Sequence, residues 1–166
     1  MVTAVEKQGF YPSELFNVEV MARFMRAPDI YHAASDALAP PPENMNFESF
    51  LLQPHIFTVA AMYDNNICGY VYVMQRTSIG GELHCGFHTA ARGKIAKTFI
   101  EYAIHRAYEL GFLKLWAMIP TDNRPAILLA KALNFTPEGR ITKAMMRKDG
   151  VRDVLILSLD RPPRSN

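Results

Sequence analysis

Glu82-Leu83-His84-Cys85-Gly86-Phe87-His88-Thr89-Ala90-Ala91-Arg92-Gly93-Lys94-Ile95-Ala96 is the stretch on which the fold turns. Its first half alternates, with Glu82, His84, Gly86 and His88 on one side and Leu83, Cys85 and Phe87 on the other, as a strand over 82–88 would present them. From Ile95 the period changes. Ala96, Phe99, Ile100, Ala103, Ile104, Ala107 and Leu110 recur at three- and four-residue steps and mark one face of a helix, which Gly111 is placed to end. An apolar strand follows over 112–119. Strand, helix and strand in this order make a right-handed βαβ crossover with its two strands parallel.

Outward from this unit the neighbours read as hairpins. Upstream, runs over 55–63 and 67–75 are rich in β-branched and aromatic residues and flank the turn formers Asp64-Asn65-Asn66, and Gly80-Gly81 opens the next strand. Downstream, Asp122 or Asn123 caps a helix over 125–133, and strands over 141–147 and 154–159 flank a turn at Lys148-Asp149-Gly150. Pro40-Pro41-Pro42 separates these from a helical part over 11–38. There Ser13 is the expected cap of an apolar helix bearing Leu15, Phe16, Val18, Val20, Ala22, Phe24 and Met25, and Pro28 starts a second, short helix. The expected class is α/β (α+β): a mixed, mostly antiparallel central sheet with one crossover and helices on both faces, in element order α α β β β α β α β β.

The 166 residues suit one domain, and 49% hydrophobic content against 20% charged allows a buried core. A net charge of +2 is too small for a sequence-independent hold on nucleic acid or a membrane surface. Cys68 and Cys85 are too few for a disulfide framework, and no ligand spacing suggests a metal. The opening segment MVTAVEKQGF has neither a basic n-region nor an apolar h-region, so the expected location is cytoplasmic.

The ligand site that such a sheet predicts is the carboxyl end of the strand entering the crossover helix. There Arg92-Gly93-Lys94 stands where unpaired backbone N–H groups and the helix dipole favour an anion; Gly93 lets the backbone approach a phosphate, and Arg92 and Lys94 add charge. The same triplet also suits a plain glycine turn between two solvated cations. Cys85 alternates with Leu83 and Phe87 as a small core residue rather than a nucleophile.

Two segments in order carry a family resemblance. Phe87-His88-Thr89-Ala90-Ala91-Arg92-Gly93-Lys94 is similar to the strand-to-helix pyrophosphate loop of the GNAT superfamily of acetyl-CoA dependent N-acyltransferases. Asn123-Arg124-Pro125-Ala126, with Leu129 and Leu133-Asn134-Phe135, resembles its later motif, in which Asn opens a helix and a Gly-Phe pair closes it. The chain departs from the family pattern at Arg92-Gly93-Lys94-Ile95-Ala96-Lys97, where a second glycine is missing, and at Ala130, where many members place the tyrosine that protonates the leaving thiolate. A third departure is Asn134, which stands for glycine but tolerates the left-handed cap. The compact loop also resembles that of a GNAT-like subgroup encoded by tailed bacteriophages near head and ejection genes.

The resemblance implies acetyl-CoA as co-substrate and direct transfer to an amine acceptor. Arg92, Gly93, Lys94 and Ile95 would hold the pyrophosphate, Asn123 would face the pantetheine arm or the start of its own helix, and a backbone N–H near Phe87 or His88 would steady the oxyanion. Strand position makes Glu82 and His84 the candidates for proton acceptor, and imidazole needs the smaller shift to work near neutral pH. The same two residues also suit a solvated strand face. Acceptor specificity would come from the helices around Leu15 to Leu38 and the Lys148 turn. The alternative is a GNAT-fold protein without catalysis that serves assembly, a protein partner or a homo-oligomer, as a phage head-assembly or virion component would, located in the host cytoplasm or virion. A cleft plugged by side chains would support that alternative, and an open cleft would count against it.

Overall fold

Gly80–Phe87 (β4) and Lys114–Pro120 (β5) lie side by side and parallel at the middle of the sheet, joined by helix α4 (Lys94–Glu109), in a computed structural model that describes residues 9–163. The remaining strands are β1 (Phe10–Ser13), β2 (Ile56–Tyr63), β3 (Asn66–Gln75), β6 (Thr136–Arg147) and β7 (Gly150–Asp160). They order as β1-β2-β3-β4-β5-β7-β6, and every neighbouring pair except β4–β5 is antiparallel. The expected mixed sheet with a single parallel pair is therefore the observed one. Residues 1–8, most of the opening segment read for targeting signals, lie outside the described part. Among the described residues no helix is long and apolar enough to cross a membrane.

Strand alternation divides the core into two layers. Val59, Ala61, Val71, Val73, Leu83 and Phe87 face α4 and α5 (Arg124–Ala132), whose Phe99, Ile100, Ala103 and Ala130 complete one apolar cluster. Ala60 and Tyr70 face the opposite way, towards α1 (Val18–Arg26), α2 (Pro28–Ala34) and α3 (Phe47–Leu51), where Met21, Ala22, Phe24, Met25, Ile30 and Leu51 form the other cluster. Glu82 and His84 thus belong to the α1–α3 side of β4.

The amino-terminal part differs from expectation. Phe10–Ser13 is a strand, and it pairs with Ala60–Tyr63 at the sheet edge, where the missing N–H of Pro12 is tolerated. Ser13 does not cap the helix; its hydroxyl closes a local turn on Leu15, and Asn17 takes the cap by accepting from Val20 N–H at 3.0 Å. Leu15 consequently stands outside the helix, 89% exposed, instead of on its apolar face. The short α3, capped by Asn46, was not expected either. β6 begins five residues earlier than expected, through Pro137 and Gly139, which read as breakers and sit at a register shift; a second shift lies at Lys143, whose φ is 52° and whose N–H donates to Asp153 Oδ1 at 2.7 Å.

Both helices flanking β5 end in the same closure. After α4, Phe112 N–H reaches Ala107 O and Gly111 N–H reaches Tyr108 O; after α5, Phe135 N–H reaches Ala130 O and Asn134 N–H reaches Lys131 O. Asn134 sits at φ 65° to do so. Asn134→Ala is expected to lower the urea unfolding stability by about 1 kcal/mol, because an alanine lacks the side chain that eases the left-handed conformation, whereas Asn134→Gly should leave it unchanged or higher.

Candidate active site

The ladder between β4 and β5 holds only at Gly80↔Lys114, Gly81↔Leu115 and Glu82↔Trp116; beyond that the strands part. Which backbone groups face the opening follows from the antiparallel pairing on either side. His88 N–H bonds to Cys68 O at 2.9 Å, so alternate residues back along β4 bond to β3, and beyond the last rung Cys85 and Phe87 aim their N–H and C=O away from it, into the opening. On the other side, Thr121 N–H bonds to Asp153 O at 2.9 Å, which by the same alternation leaves Met118 facing the opening. Phe87 O accepts from Arg92 Nε at 3.2 Å, while Phe87 N–H keeps its aim into the opening. The space between the strands is a cleft of about 350 Å³, walled by Leu83, His84 and Cys85 of β4, by Ala117 to Pro120 of β5, and by Asn123, Ala126 and Leu129 at the start of α5.

At the carboxyl end of β4 the chain makes a single 3-10 turn over Thr89–Ala91 and enters α4 through Gly93. Gly93 has φ 73° and ψ −125°, a conformation open in practice only to glycine, and a Cβ built there would meet nothing within 4 Å. The glycine is thus required by the backbone turn and leaves open space in front of it. No side chain caps α4 and its first turn carries no acid, although α1, α3 and α5 are each capped by an asparagine. Arg92 and Lys94 are exposed beside this end, and among the described residues neither forms an ion pair. Uncapped N–H groups, the positive end of a sixteen-residue helix and two cations fit a diphosphate.

The polar centre lies on the α1–α3 side of β4. Glu82 is buried, its side chain 8% exposed, and both its oxygens are engaged: Oε2 accepts from Arg76 Nε at 2.9 Å and Nη2 at 2.7 Å, and Oε1 lies 3.0 Å from His84 Nε2. The second contact has ion-pair distance without the alignment of a directional hydrogen bond. His84 in turn stacks on Tyr72 at 4.7 Å between centroids, and Tyr72 on Tyr70 at 5.8 Å. Gly86 makes room for this row, since a Cβ there would stand 2.8 Å from the Tyr70 ring.

The neighbouring His84 ring, and then the Arg76 guanidinium, outweigh burial and hold the Glu82 carboxyl down at about 2. Glu82 is therefore a fixed carboxylate and a poor proton acceptor at neutral pH. A carboxyl held below its ordinary 4.5 stabilises the fold above that value and loses its contribution as pH falls from 4.5 towards 2. Glu82→Gln is expected to flatten the decline of Tm across that window relative to wild type, a difference on the order of 2 kcal/mol by thermal unfolding. Burial pushes the Cys85 thiol up to about 11, which suits a packing residue and not a nucleophile.

The structure brings Glu82, His84 and Asn123 to one cleft. Asn123 caps α5 through Ala126 N–H at 3.3 Å and also walls the cleft. Arg92, Gly93, Lys94 and Ile95 gather at the mouth of α4, with the Ile95 side chain packed against the core. His88 departs from expectation. Its N–H is committed to Cys68 O, and its ring turns to Asp29 Oδ2 at 3.2 Å and edge-on to Phe24, so of the two backbone groups named for an oxyanion only that of Phe87 faces the opening. Sequence reading missed Tyr70, Tyr72, Arg76 and Met145. The tyrosines had a signal, since they alternate with Val71 and Val73 on β3 and pair with Gly86 and His84 across the hairpin.

A sheet that parts beside an uncapped helix end offers room between two strands for an extended ligand that carries an anion. The sequence profile described as the acetyltransferase (GNAT) family matches residues 21–135, and the chain belongs to that family. The yncA structure of Salmonella typhimurium, solved with its cofactor acetyl-CoA, is similar at a TM-score of 0.75 and 14% identity, covering 95% of this chain and 97% of that one. The ribosomal-protein-S18-alanine N-acetyltransferase of Escherichia coli is similar at 0.72 and 14%, covering 94% and 96%. A variant of the spermidine N-acetyltransferase SpeG of Vibrio cholerae is similar at 0.75 and 14%, covering 92% and 94%. At these identities the likeness is one of fold. No curated protein sequence gives a significant match.

Proposed function

We propose that the protein is an acetyl-CoA dependent N-acetyltransferase that passes the acetyl group directly to a primary amine, with no acyl-enzyme. The observation that carries this is the cleft between the parted β4 and β5 edges, which has His84 on its wall and lies in a sheet whose β4 runs directly into the uncapped end of α4. Bound acetyl-CoA supplies an activated thioester. The chain's own groups do the rest. The α4 N–H groups around Gly93, with Arg92, Lys94 and the backbone of Ile95, hold the pyrophosphate. Backbone groups of Cys85, Phe87 and Met118 offer amide partners to an extended arm, Asn123 walls it, and Phe87 N–H faces the oxygen on which charge develops.

His84 takes the proton that the amine loses as its nitrogen bonds to the acetyl carbon and the carbon–sulfur bond breaks. Glu82, already ionised and held by Arg76, fixes the His84 ring and balances the charge it gains. Ala130 is buried beside the cleft and has no proton to give the departing sulfur, so that proton comes from water or from His84.

The non-catalytic alternative, a scaffold for assembly such as a phage head or virion component, calls for a plugged cleft, and the open one argues against it. Titration calorimetry with acetyl-CoA tests the reading. Micromolar to millimolar binding is expected, and no heat from the wild-type protein overturns it.

A further inference from the structure

The acceptor half of the cleft offers little to a second charge. Its lining includes the row Tyr70, Tyr72 and His84, together with Ala33 of α2 and Ala144 and Met145 of β6. The rings of the row lie within 12° and 19° of parallel, so its inner faces are occupied by its own members and are closed to a cation. Burial keeps both phenols protonated. Glu82 is the lone carboxylate of the lining, and Arg76 and His84 have taken its oxygens. An ammonium brought here beyond the reacting amine would be desolvated without a counter-ion.

The mouth is also bridged. Ala37 N–H donates to Met146 O at 2.8 Å, Met146 N–H to Asp36 Oδ2 at 2.6 Å, and Arg147 Nη1 to Ser35 O at 2.8 Å. These bonds join the chain just after α2 to β6 immediately beyond Ala33 and Met145, which line the cleft, so the two segments cannot part there for a long acceptor without breaking them.

We infer that the acceptor is a small primary amine bearing a single amino group on an uncharged aromatic body, and not a polyamine or a polypeptide. Its ring face meets the tyrosine ring edges, the arrangement aromatic pairs favour. This rests on the acetyltransferase reading and specifies its acceptor class.

The test uses phenethylamine, spermidine and an alanine-initiated pentapeptide. Thiol release at saturating acetyl-CoA gives turnover, and saturation-transfer NMR on the CoA-loaded protein gives binding. The expected kcat/KM for phenethylamine is about tenfold or more above the other two, with saturation transferred to its ring protons. Tyr72→Leu, which keeps most of the volume, should raise the phenethylamine KM about tenfold with acetyl-CoA affinity by calorimetry unchanged. Preference for spermidine or the peptide, or silence of phenethylamine in both readouts, overturns the acceptor class. Absence of acetyl-CoA binding overturns instead the reading on which it rests, so the two failures are told apart.

Discussion

Gly93→Val is expected to weaken acetyl-CoA binding by about 100-fold, close to 3 kcal/mol, measured by calorimetry on the purified variant. Two effects add. A β-branched residue cannot adopt φ 73° with ψ −125° without strain of about 1 to 3 kcal/mol, so the entry to α4 shifts and its N–H groups lose their common aim. The new side chain also occupies the open space before the helix end, which is where an anion would approach. A thermal unfolding scan without ligand separates the two: the strain lowers Tm in the absence of acetyl-CoA, and the blocked approach does not. Gly93→Ala should show the smaller loss of both. Arg92→Ala and Lys94→Ala, exposed cations, should each cost only a few-fold, and more at low salt. Equal affinity of wild type and Gly93→Val would remove the helix end from the binding site.

His84→Gln is expected to lower kcat by about 100-fold or more, the usual worth of a positioned general base, with acetyl-CoA affinity intact. The glutamine retains a planar group beside Tyr72 but cannot take a proton. The acid limb of the kcat/KM against pH profile should vanish with it. Glu82→Gln tests the supporting role: it leaves the imidazole in place, so it should reduce kcat less than His84→Gln does and displace the acid limb instead of abolishing it. If Glu82→Gln abolished turnover while His84→Gln retained it, the carboxylate would be the proton acceptor and the assignment would reverse.

Much of this fold was legible because its central unit announces itself locally. Alternation over β4 followed by the three- and four-residue steps of α4 needs no long-range information, and it correctly put Glu82 and His84 on one face. Legibility failed where pairing partners are distant. β1 is four residues long and exists through Ala60–Tyr63, about fifty positions away, so nothing in its own sequence distinguishes it from a loop. α3, at five residues, is too short to show a period. The loop was legible at Gly93 and Asn123, where single residues serve a cap or a positive φ. The engagement of Glu82 was not, because Arg76 reaches it across the turn between β3 and β4 and only the folded turn brings them together. His88 misled for a related reason: the β3 pairing continues one residue further than the strand, and takes its N–H.

The parted strands have a mechanical meaning as well. Within the sheet, β1–β4 and β5–β7 are joined by three residue pairs alone, so the ladder is weakest along the line that the donor would enter. A ligand arm seated there supplies hydrogen-bond partners to edges that the chain leaves open, and works as the missing length of ladder between the two sets of strands. The donor is then part of what holds the molecule together, and the folded state gains stability with its concentration as RT ln(1 + [L]/Kd). In a cell, the stability of this protein would follow the supply of its acyl donor.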